Sequence, residues 1–564
     1  MASLQSSCMV LTHNRICPLV KPSHHFPNAR LTYRFHVSCS SNGGVDRRNM
    51  LLGLGGLYGA ANLISDSKAY ADPIQPPDIK SCGVADVHGD PLDVNCCPPN
   101  SDTIIDYELP SVTSLRVRPA AHKLNHGYLT KYEKAIQLMR ELDKKDPSDP
   151  RGFTQQANVH CAYCNGAYDQ VDYEGTDISI HYSWLFFPFH RWYLYFYERI
   201  LGSLIGDPTF ALPFWNWDNP RGMQLPAIFD NPHSPLYDIN RNPSNRPPAI
   251  VDLALSGKTD DEQLVRSNLS TMYKEMLSSV DDTNGFMGQP YCAGMTPPGS
   301  ASGGTVERGS HTSVHRWVGH PDNKYHEDLG NFYSAGRDPA FYSHHSNVDR
   351  MWTIWKHLKT KVPKDINKPD YLNASFLFYD ENQKLVRVKV ADALDNRKMG
   401  YDYEKVEMPW MYYRPPRRSA RVRIQDISKG AENPEKVFPL SLNRIVRVLI
   451  SKRSPGKVDE VLVLEDIHTD PTEFVKFDIY VNDEDDEPKD VDKAEYAGTF
   501  SQLPHRVHHS NRHKGSMKLS LKELYEDIDI HEDDTTVVVT LVPRANGHRV
   551  TIAGIKIVKS RSSA

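Results

Sequence analysis

Residues 160–198 read HCAYCNGAYDQVDYEGTDISIHYSWLFFPFHRWYLYFYE, and they carry the features that decide how this chain folds. The stretch holds His160, His181 and His190, together with Cys161, Cys164 and many aromatic side chains. Neutral imidazole is the commonest nitrogen ligand for zinc, copper, iron and nickel. Each histidine taken alone could equally be a satisfied core or surface residue. Three of them among tryptophan and phenylalanine side chains predict a metal-ligand set inside a dry pocket.

A second histidine cluster lies further along the chain. His311 and His315 are four residues apart, which on a helix places both imidazoles on one face, about 6 Å apart. His344 and His345 come about one helix later, and one of them would complete a second set of three nitrogens. A single set would suit zinc with a bound water, whereas magnesium and calcium prefer oxygen ligands. Two facing sets favour a pair of copper ions able to bind O2 between them, because imidazole suits copper in both oxidation states and none of these histidines has the Glu-x-x-His signature of di-iron bundles.

The middle of the chain is predicted to be mainly α-helical. The segment after Pro188 is apolar around most of its circumference, which is typical of a buried helix. Residues 206–260 are rich in proline and asparagine and should be irregular. We therefore expect a four-helix bundle to carry the histidines. Apolar periodicity predicts helices over 124–142, 155–164, 190–204, 261–278, 310–318 and 339–358.

The character of the sequence changes near residue 413. Tyr413 to Lys436 is rich in arginine, proline and serine, which is typical of an exposed and cleavable linker. Apolar residues then alternate with a period of two, as in an antiparallel β-sandwich. Four histidines in this part, at 505, 508, 509 and 513, could form a metal site, but a polar hairpin loop is the simpler interpretation. The predicted strands are 445–452, 460–467, 475–481, 517–521, 536–542 and 550–558.

Length and charge limit the possible partners. With 564 residues the chain should form two or three domains, and a net charge of −5 gives no reason to expect nucleic acid binding. We expect a targeting segment over 1–71, a catalytic domain over 72–412, a linker over 413–436 and a β-domain over 437–564.

The first 71 residues have the composition of targeting signals. No aspartate or glutamate occurs before Asp46, while serine and basic residues are frequent, as in a chloroplast transit peptide. Arg47 and Arg48 precede an apolar run over 50–64, and Ala69-Tyr70-Ala71 resembles a cleavage site. The run is too short to span a membrane comfortably. These features predict import into the chloroplast thylakoid lumen, the alternative being a single unusual signal or anchor.

Six cysteines lie beyond this segment. Cys96 and Cys97 are adjacent and cannot easily pair with each other, so each needs another partner. Cys82 and Cys161 are the nearest in sequence and could fasten the arm 72–110 to the histidine-bearing helix. The residues alone leave the connectivity open.

Seven longer motifs stand out in the sequence. They are HCAYCNGAYDQ (160–170), HYSWLFFPFHRWYLYFYER (181–199), LPFWNWDNP (212–220), HTSVHRWVG (311–319), NFYSAGRDPAFYSHHSNVDRMW (331–352), LFYDENQKLVRVKVADALD (377–395) and VKFDIYVN (475–482). With these motifs the chain resembles the plant polyphenol oxidases, relatives of tyrosinases and molluscan haemocyanins, over nearly its whole length. The resemblance implies that His160, His181 and His190 bind a first copper ion and that His311, His315 and His345 bind a second, with His344 as a structural neighbour.

The resemblance also implies covalent bonds. Cys164 matches the cysteine that forms a thioether with a copper-bound histidine, here His181; a plain buried thiol is the alternative. The family pattern pairs Cys82 with Cys97 and Cys96 with Cys161. Cys292 departs from the pattern, which suggests a free thiol.

Four further residues are expected at the substrate pocket by the same resemblance. Phe332 is expected to gate access above the second copper, and Glu307 to orient a water that acts as base on a phenol. Thr312 and Arg316 each come directly after a second-site ligand and are expected to line the pocket. Thr312 stands where good monophenol hydroxylases often have asparagine, and aurone-forming relatives carry a similar Thr and Arg pair. A plain surface role is the alternative for Arg316.

The activity implied is oxidation of o-diphenols to o-quinones by O2 with release of water. The partners are therefore a small phenol and O2. Alternatives are a phenol-hydroxylating tyrosinase, an aurone-type synthase or, from another class, a haemocyanin-like oxygen carrier. The β-domain shows no chemistry of its own and is expected to cover the pocket until it is removed or displaced. Tyr401 and Tyr403 resemble a Tyr-x-Tyr element that ends the catalytic domain, with Arg118 expected to anchor it.

Overall fold

The structure is a computed structural model of the chain. It describes residues 71–84, 95–418, 422–453, 459–505, 514–531 and 533–560, and the backbone of Asp86–Val87 and Asp90–Pro91. The predicted targeting signals over 1–71 therefore lie outside the described residues, apart from Ala71.

Six main helices build the first part of the chain. They are α1 (His126–Lys145), α2 (Phe153–Cys164), α3 (Phe186–Leu204), α4 (Asp261–Tyr273), α5 (Thr312–Val318) and α6 (Ala340–His357). Two π-helical turns, Lys274–Ser278 and Glu307–His311, come directly after α4 and directly before α5. Residues 206–260 contain only short 3-10 turns, as expected from their prolines. Shorter helices span Thr283–Met287, Pro369–Leu372, Ile424–Ile427, Pro434–Val437 and Lys522–Asp527.

Helix α3 is the centre of the helical core. Its sequence is apolar or aromatic at nearly every position, and it is buried from Phe186 to Glu198. Helix α6 packs against it and is buried from Ala340 to Trp352. Aromatic side chains bury large areas where these two helices pack together. The aromatic residues that flank the histidines therefore also form the core of this part of the chain.

The described chain contains seventeen strands. They are β1 (Asp86–Val87), β2 (Asp90–Pro91), β3 (Ile104–Asp106), β4 (Arg116–Arg118), β5 (Asp169–Gln170), β6 (Tyr173–Asp177), β7 (Ser375–Tyr379), β8 (Leu385–Lys389), β9 (Tyr401–Tyr403), β10 (Leu440–Ser441), β11 (Val446–Ser451), β12 (Glu460–Thr469), β13 (Val475–Val481), β14 (Tyr496–Gln502), β15 (Gly515–Ser520), β16 (Thr536–Ala545) and β17 (Val550–Lys559).

Two four-stranded antiparallel sheets form the C-terminal part, in the orders β10-β17-β12-β15 and β11-β16-β13-β14. Their inward residues alternate along the strands and share one hydrophobic cluster, as the period of two requires. All six predicted strands are present. Strand β14 and the pair β7–β8 were not predicted, and β14 (YAGTFSQ) lacks the apolar alternation on which such a prediction depends.

The N-terminal arm is held to the core by disulfides and by backbone pairing. The structure joins Cys82 to Cys97 and Cys96 to Cys161, the two pairs that the resemblance implied. Strand β4 pairs in parallel with β9, so Arg118 lies opposite Tyr403. The Arg118 guanidinium donates to the Tyr403 phenol at 3.0 Å and lies 3.9 Å from the centre of the Tyr401 ring, as expected for the anchor of this element.

Candidate metal centre

All seven histidines of the two clusters come together in the helical core. Helix α2 carries His160, the loop before α3 carries His181, and α3 carries His190. The turn and helix at 307–318 carry His311 and His315, and α6 carries the adjacent pair His344 and His345. Every one of these side chains is at most 1% exposed. Two groups emerge whose ligand atoms lie within 4.8 Å of one another: His160, Cys164, His181 and His190, and His311, His315, His344 and His345.

Backbone carbonyls orient four of the imidazoles in the same way. The Nδ1 atoms of His160 and His190 lie 2.8 Å from the carbonyl oxygens of Phe332 and Phe186. Those of His311 and His315 lie 3.0 and 2.7 Å from the Glu307 and Leu329 carbonyls, respectively. A carbonyl can only accept, so each Nδ1 must donate, which leaves the lone pair of a neutral imidazole on Nε2.

Most of the remaining ring nitrogens are buried without a hydrogen-bond partner in the described chain. The Nε2 atoms of His160, His190 and His311, and both ring nitrogens of His181, find no hydrogen-bond partner in the described chain. His315 Nε2 faces His345 Nε2 at 3.3 Å, and His345 Nδ1 has no partner among the described residues. A buried polar atom without a hydrogen-bond partner lowers the stability of the fold. So many of these atoms in one place indicate a binding site for a metal ion, which would accept their lone pairs.

Burial supports the same conclusion electrostatically. Desolvation lowers the pKa of all seven imidazoles below the usual value, so each is neutral at physiological pH and available as a ligand. The two groups offer seven neutral imidazoles, or six if His344 is not a ligand, and neither group contains a carboxylate. This set of donors fits copper better than magnesium or calcium. The residues present therefore fit a pair of copper ions, one for each group.

His344 and His345 differ in their surroundings. The indole of Trp217 donates to His344 Nδ1 at 3.1 Å, so one nitrogen of that ring is occupied. The His345 ring stacks on His190 with 4.2 Å between centroids and lies 6.2 Å from the His160 ring. His345 thus faces both groups, whereas His344 is held at the edge by Trp217.

Two cysteines remain free and buried in the described chain. Cys164 belongs to the first group of ligand atoms, with its sulfur within 4.8 Å of a His181 ring nitrogen. Burial raises the pKa of the Cys164 thiol well above its usual range. Cys292 lies elsewhere, with its thiol 3.5 Å from an Asp370 carboxylate oxygen, and its burial raises the pKa to about 12.

Phe332 does not lie where it was expected. Its ring stacks on His181 of the first group, with centroids 3.9 Å apart and planes 11° from parallel. The ring therefore lies against the first group and not above the second, where it was expected, and the Phe332 carbonyl accepts from His160 Nδ1 of that same first group.

Glu307 and Thr312 flank the second group at the turn before α5. The Glu307 carboxylate accepts from the Tyr182 backbone N–H at 2.6 Å, and its other oxygen is buried without a partner in the described chain. Burial raises the pKa of Glu307 well above its usual range. The Thr312 hydroxyl donates to the Glu307 carbonyl at 2.8 Å, so it is engaged within its own helical turn.

Residues of the C-terminal part pack against the helical core near the histidine groups; the sequence predicted that the β-domain covers this region but did not identify the residues that do so. Leu503 is fully buried and Phe474 is 8% exposed, and both belong to the hydrophobic cluster of the helical core. The Arg316 guanidinium lies 4.7 Å from the Phe474 ring centre. The His505 ring lies 6.2 Å from the Phe332 ring. The other histidines of that loop, 508, 509 and 513, lie outside the described residues, so a metal site there stays a hypothesis.

A buried ion network supports the ligand helices from behind. Asp349, one turn beyond His345 on α6, accepts from Arg191 at 2.5 Å and from the phenols of Tyr401 and Tyr403 at 2.6 and 2.5 Å. Arg118 lies 3.4 Å away and also pairs with Glu198. Because Arg191 comes directly after His190, this network connects the helices that carry ligands of both groups.

Known proteins resemble the chain over nearly its full length. Three family profiles match: "Common central domain of tyrosinase" at 150–358, "Polyphenol oxidase middle domain" at 365–416, and "Chloroplastic Polyphenol Oxidase C-terminal domain" at 438–559. Polyphenol oxidase II, chloroplastic, of Ipomoea batatas is 48% identical over 99% of this chain and 96% of its own.

Two solved structures are similar as well. Latent aurone synthase, a polyphenol oxidase, is 43% identical, with a TM-score of 0.80 over 86% of this chain and 99% of its own. Latent apple tyrosinase is 46% identical, with a TM-score of 0.76 over 81% of this chain and 100% of its own.

Proposed function

The chain belongs to the polyphenol oxidase family of tyrosinase-type proteins, and on this basis we propose that it oxidises o-diphenols to o-quinones while O2 is reduced to water. The observation that carries the proposal is the pair of buried histidine groups facing each other, with Nε2 lone pairs left free by carbonyl-bound Nδ1 atoms. Two copper ions held there would supply the redox chemistry and the site for O2.

We assign the ligands within this proposal. His160, His181 and His190 hold the first copper, and His311, His315 and His345 hold the second. His345 is preferred to His344 because it faces both groups, whereas the Trp217 N–H takes the lone pair of His344 Nδ1 and leaves the proton of that neutral ring on Nε2. Cys164 is proposed to bond covalently to His181, and its place among the first-group ligand atoms supports this. Such a bond would fix a ring whose two nitrogens have no hydrogen-bond partner in the described chain.

The protein's own residues orient the substrate and handle its protons. A phenol has a pKa near 10, so it needs a metal or a base to lose its proton at neutral pH. Glu307 is proposed to hold a water for this step, since one of its oxygens is buried and has no partner among the described residues. Phe332, stacked on His181, is proposed to limit the approach of rings to the site.

Catechol oxidation is proposed as the main activity, ahead of monophenol hydroxylation or an aurone-type reaction. The Thr312 hydroxyl gives its one proton to the Glu307 carbonyl, so it cannot also donate a hydrogen bond to a water at Glu307. Arg316 offers a half-buried cation beside Phe474 and would favour rings that carry acidic groups.

We further propose that the full-length protein is latent. Leu503 and Phe474 pack in the hydrophobic cluster of the helical core, the His505 ring lies near the Phe332 ring, and the family relatives of known structure include forms named latent. The two C-terminal sheets would act as a β-sandwich that shields a four-helix bundle made of α2, α3, α5 and α6. Cleavage within 413–436, or mild detergent, is expected to remove or displace the shield.

The protein is assigned to the plastid, since its relative from Ipomoea batatas is named chloroplastic; the thylakoid lumen is proposed from the twin arginines at 47 and 48. None of the helices in the described part of the chain has the length and apolarity to cross a bilayer.

The test of the ligand assignment is the substitution His315→Ala, with exposed His357→Ala on α6 as control. The first variant should lose catechol turnover and retain fewer than two copper ions per chain, whereas the control should keep both. If His315→Ala keeps full turnover and two copper ions, the assignment is wrong.

A further inference from the structure

The turn that carries His311 departs from regular helix. Residues Glu307–His311 form a π-helical turn between Thr305 and α5, with a non-helical backbone at Gly309. A π-turn inserts a residue into the helix, so it rotates the residues beyond it by about 100° relative to a regular helix. The direction in which the His311 ring points therefore depends on whether this turn persists.

One side chain from another segment holds the turn. Glu275 lies in the π-turn after α4, and one of its carboxylate oxygens accepts from the Ser310 backbone N–H at 2.9 Å. The other accepts from the Ser310 hydroxyl at 2.6 Å. An N–H inside a regular helix donates to the carbonyl four residues earlier, so Glu275 replaces the partner that the π-turn removes.

The contact is buried and closely fitted. Glu275 is 7% exposed and Ser310 is fully buried. A Cβ atom at Gly309 would lie 1.9 Å from the bonded Glu275 oxygen, so only glycine lets the turn approach the carboxylate this closely. The Thr305 hydroxyl donates to the Glu275 carbonyl at 2.6 Å, which holds the two turns together at a second point.

We propose that Glu275 is a positioning residue for the second copper site, acting through Ser310 on the ligand His311. The inference rests on the proposed copper-binding function and deepens it. Glu275 does not contact the imidazole itself; His311 Nδ1 donates to the Glu307 carbonyl of the same turn. Partners one step removed from a metal commonly change metal affinity or activity by about 10- to 100-fold when they are lost.

The chemistry of the contact predicts which substitutions are tolerated. Glutamine can accept from the Ser310 N–H with its carbonyl oxygen, while its amide donates to the Ser310 hydroxyl, which can rotate to accept. Burial raises the pKa of Glu275 to about 8, so the carboxyl group is mostly protonated near pH 7. The neutral side chain of glutamine resembles this form. Leucine has a similar volume but leaves the buried Ser310 N–H without a partner.

The experiment compares copper retention in the full-length protein and in Glu275→Leu, Glu275→Gln and Ser310→Ala variants. The exposed Glu262→Leu on α4 serves as control, its side chain being 83% exposed. Copper per chain and the rate of copper transfer to a chelator are measured. Electron paramagnetic resonance then detects a lone Cu(II) ion that has lost its coupled neighbour.

Glu275→Leu should release second-site copper about 10- to 100-fold faster and show about one resonance-visible copper per chain. Glu275→Gln and Glu262→Leu should behave like the parent, and Ser310→Ala should release copper a few-fold faster. If Glu275→Leu fails to fold, the other two variants still test the inference. Copper release from Ser310→Ala at the parent rate, or rapid copper loss from Glu275→Gln, would overturn it. Parent-like retention by a folded Glu275→Leu also overturns it. A parent protein that binds no copper pair would instead overturn the proposed function.

Discussion

Truncation of Leu503 to alanine should make the full-length protein active without cleavage. Leu503 is fully buried and packs in the same hydrophobic cluster as the helical core, although it comes directly after β14 of the C-terminal sheets. Removing a buried leucine side chain typically costs about 2 to 5 kcal/mol. We take about 2 to 3 kcal/mol here, because a cavity beside the substrate pocket can relax or fill with water. This cost destabilises only the state in which the C-terminal sheets are docked on the helical core, provided that the sheets stay folded when they are displaced.

A shift of about 2 to 3 kcal/mol in favour of the displaced state raises its population roughly 30- to 150-fold while that population is small. Oxygen uptake with a neutral catechol, measured on uncleaved protein, should rise by the same factor. Cleavage of Leu503→Ala within 413–436 should then add little. The control Leu541→Ala lies in the hydrophobic cluster of the two sheets and should lower stability without comparable activation. A folded, copper-loaded Leu503→Ala protein that stays as inactive as the parent would rule out a shielding role for this residue.

Three further predictions concern the rest of the site. Burial is the largest influence on the pKa of Asp349 and would raise it, but the charges of Arg191 and Arg118 and the hydrogen bonds from Tyr401 and Tyr403 together hold that pKa below its ordinary value. Asp349→Ala should therefore cost about 3 to 5 kcal/mol in urea unfolding near pH 7. The part of that cost due to ionisation is present above the unfolded pKa of about 4 and disappears as pH falls through the folded pKa; a cost that grows on acidification would contradict this. Mass spectrometry of digested protein should find the Cys164 peptide joined to that of His181, and separate peptides with a free thiol would contradict the proposed thioether. Replacing Arg316 with methionine should raise KM several-fold for catechols that bear a carboxylate but not for neutral ones; an equal change for both would assign Arg316 a structural role.

Much of the helical core can be predicted from local pattern. Helix α3 was predictable because its apolar residues cover nearly the whole circumference, and α6 because its histidines lie on a continuous periodic segment. The grouping of the histidines came from their spacing and from family motifs, since no local rule brings His181 and His345 together. The strands of the C-terminal sheets alternate clearly, apart from β14, whose Gly498 and polar residues obscure the period.

The features that escaped prediction depend on contacts between distant parts of the chain. The π-turn at 307–311 is stabilised by Glu275, which is 35 residues away from Ser310. Leu503 and Phe474 are ordinary apolar residues whose role comes only from the surface on which they dock. The Phe332 ring lies on His181 of the first group and not beside the second, because a motif fixes its position in the sequence but not the direction of its ring.

The most direct test of the proposed function combines copper analysis with oxygen uptake on the same preparation. Full-length protein and protein cleaved within 413–436 are compared with a neutral catechol as substrate. We expect about two copper ions per chain in both forms, with rapid O2 consumption and o-quinone formation only after cleavage. Reversible O2 binding without quinone formation in the cleaved protein, or full activity without copper, would contradict the proposed function.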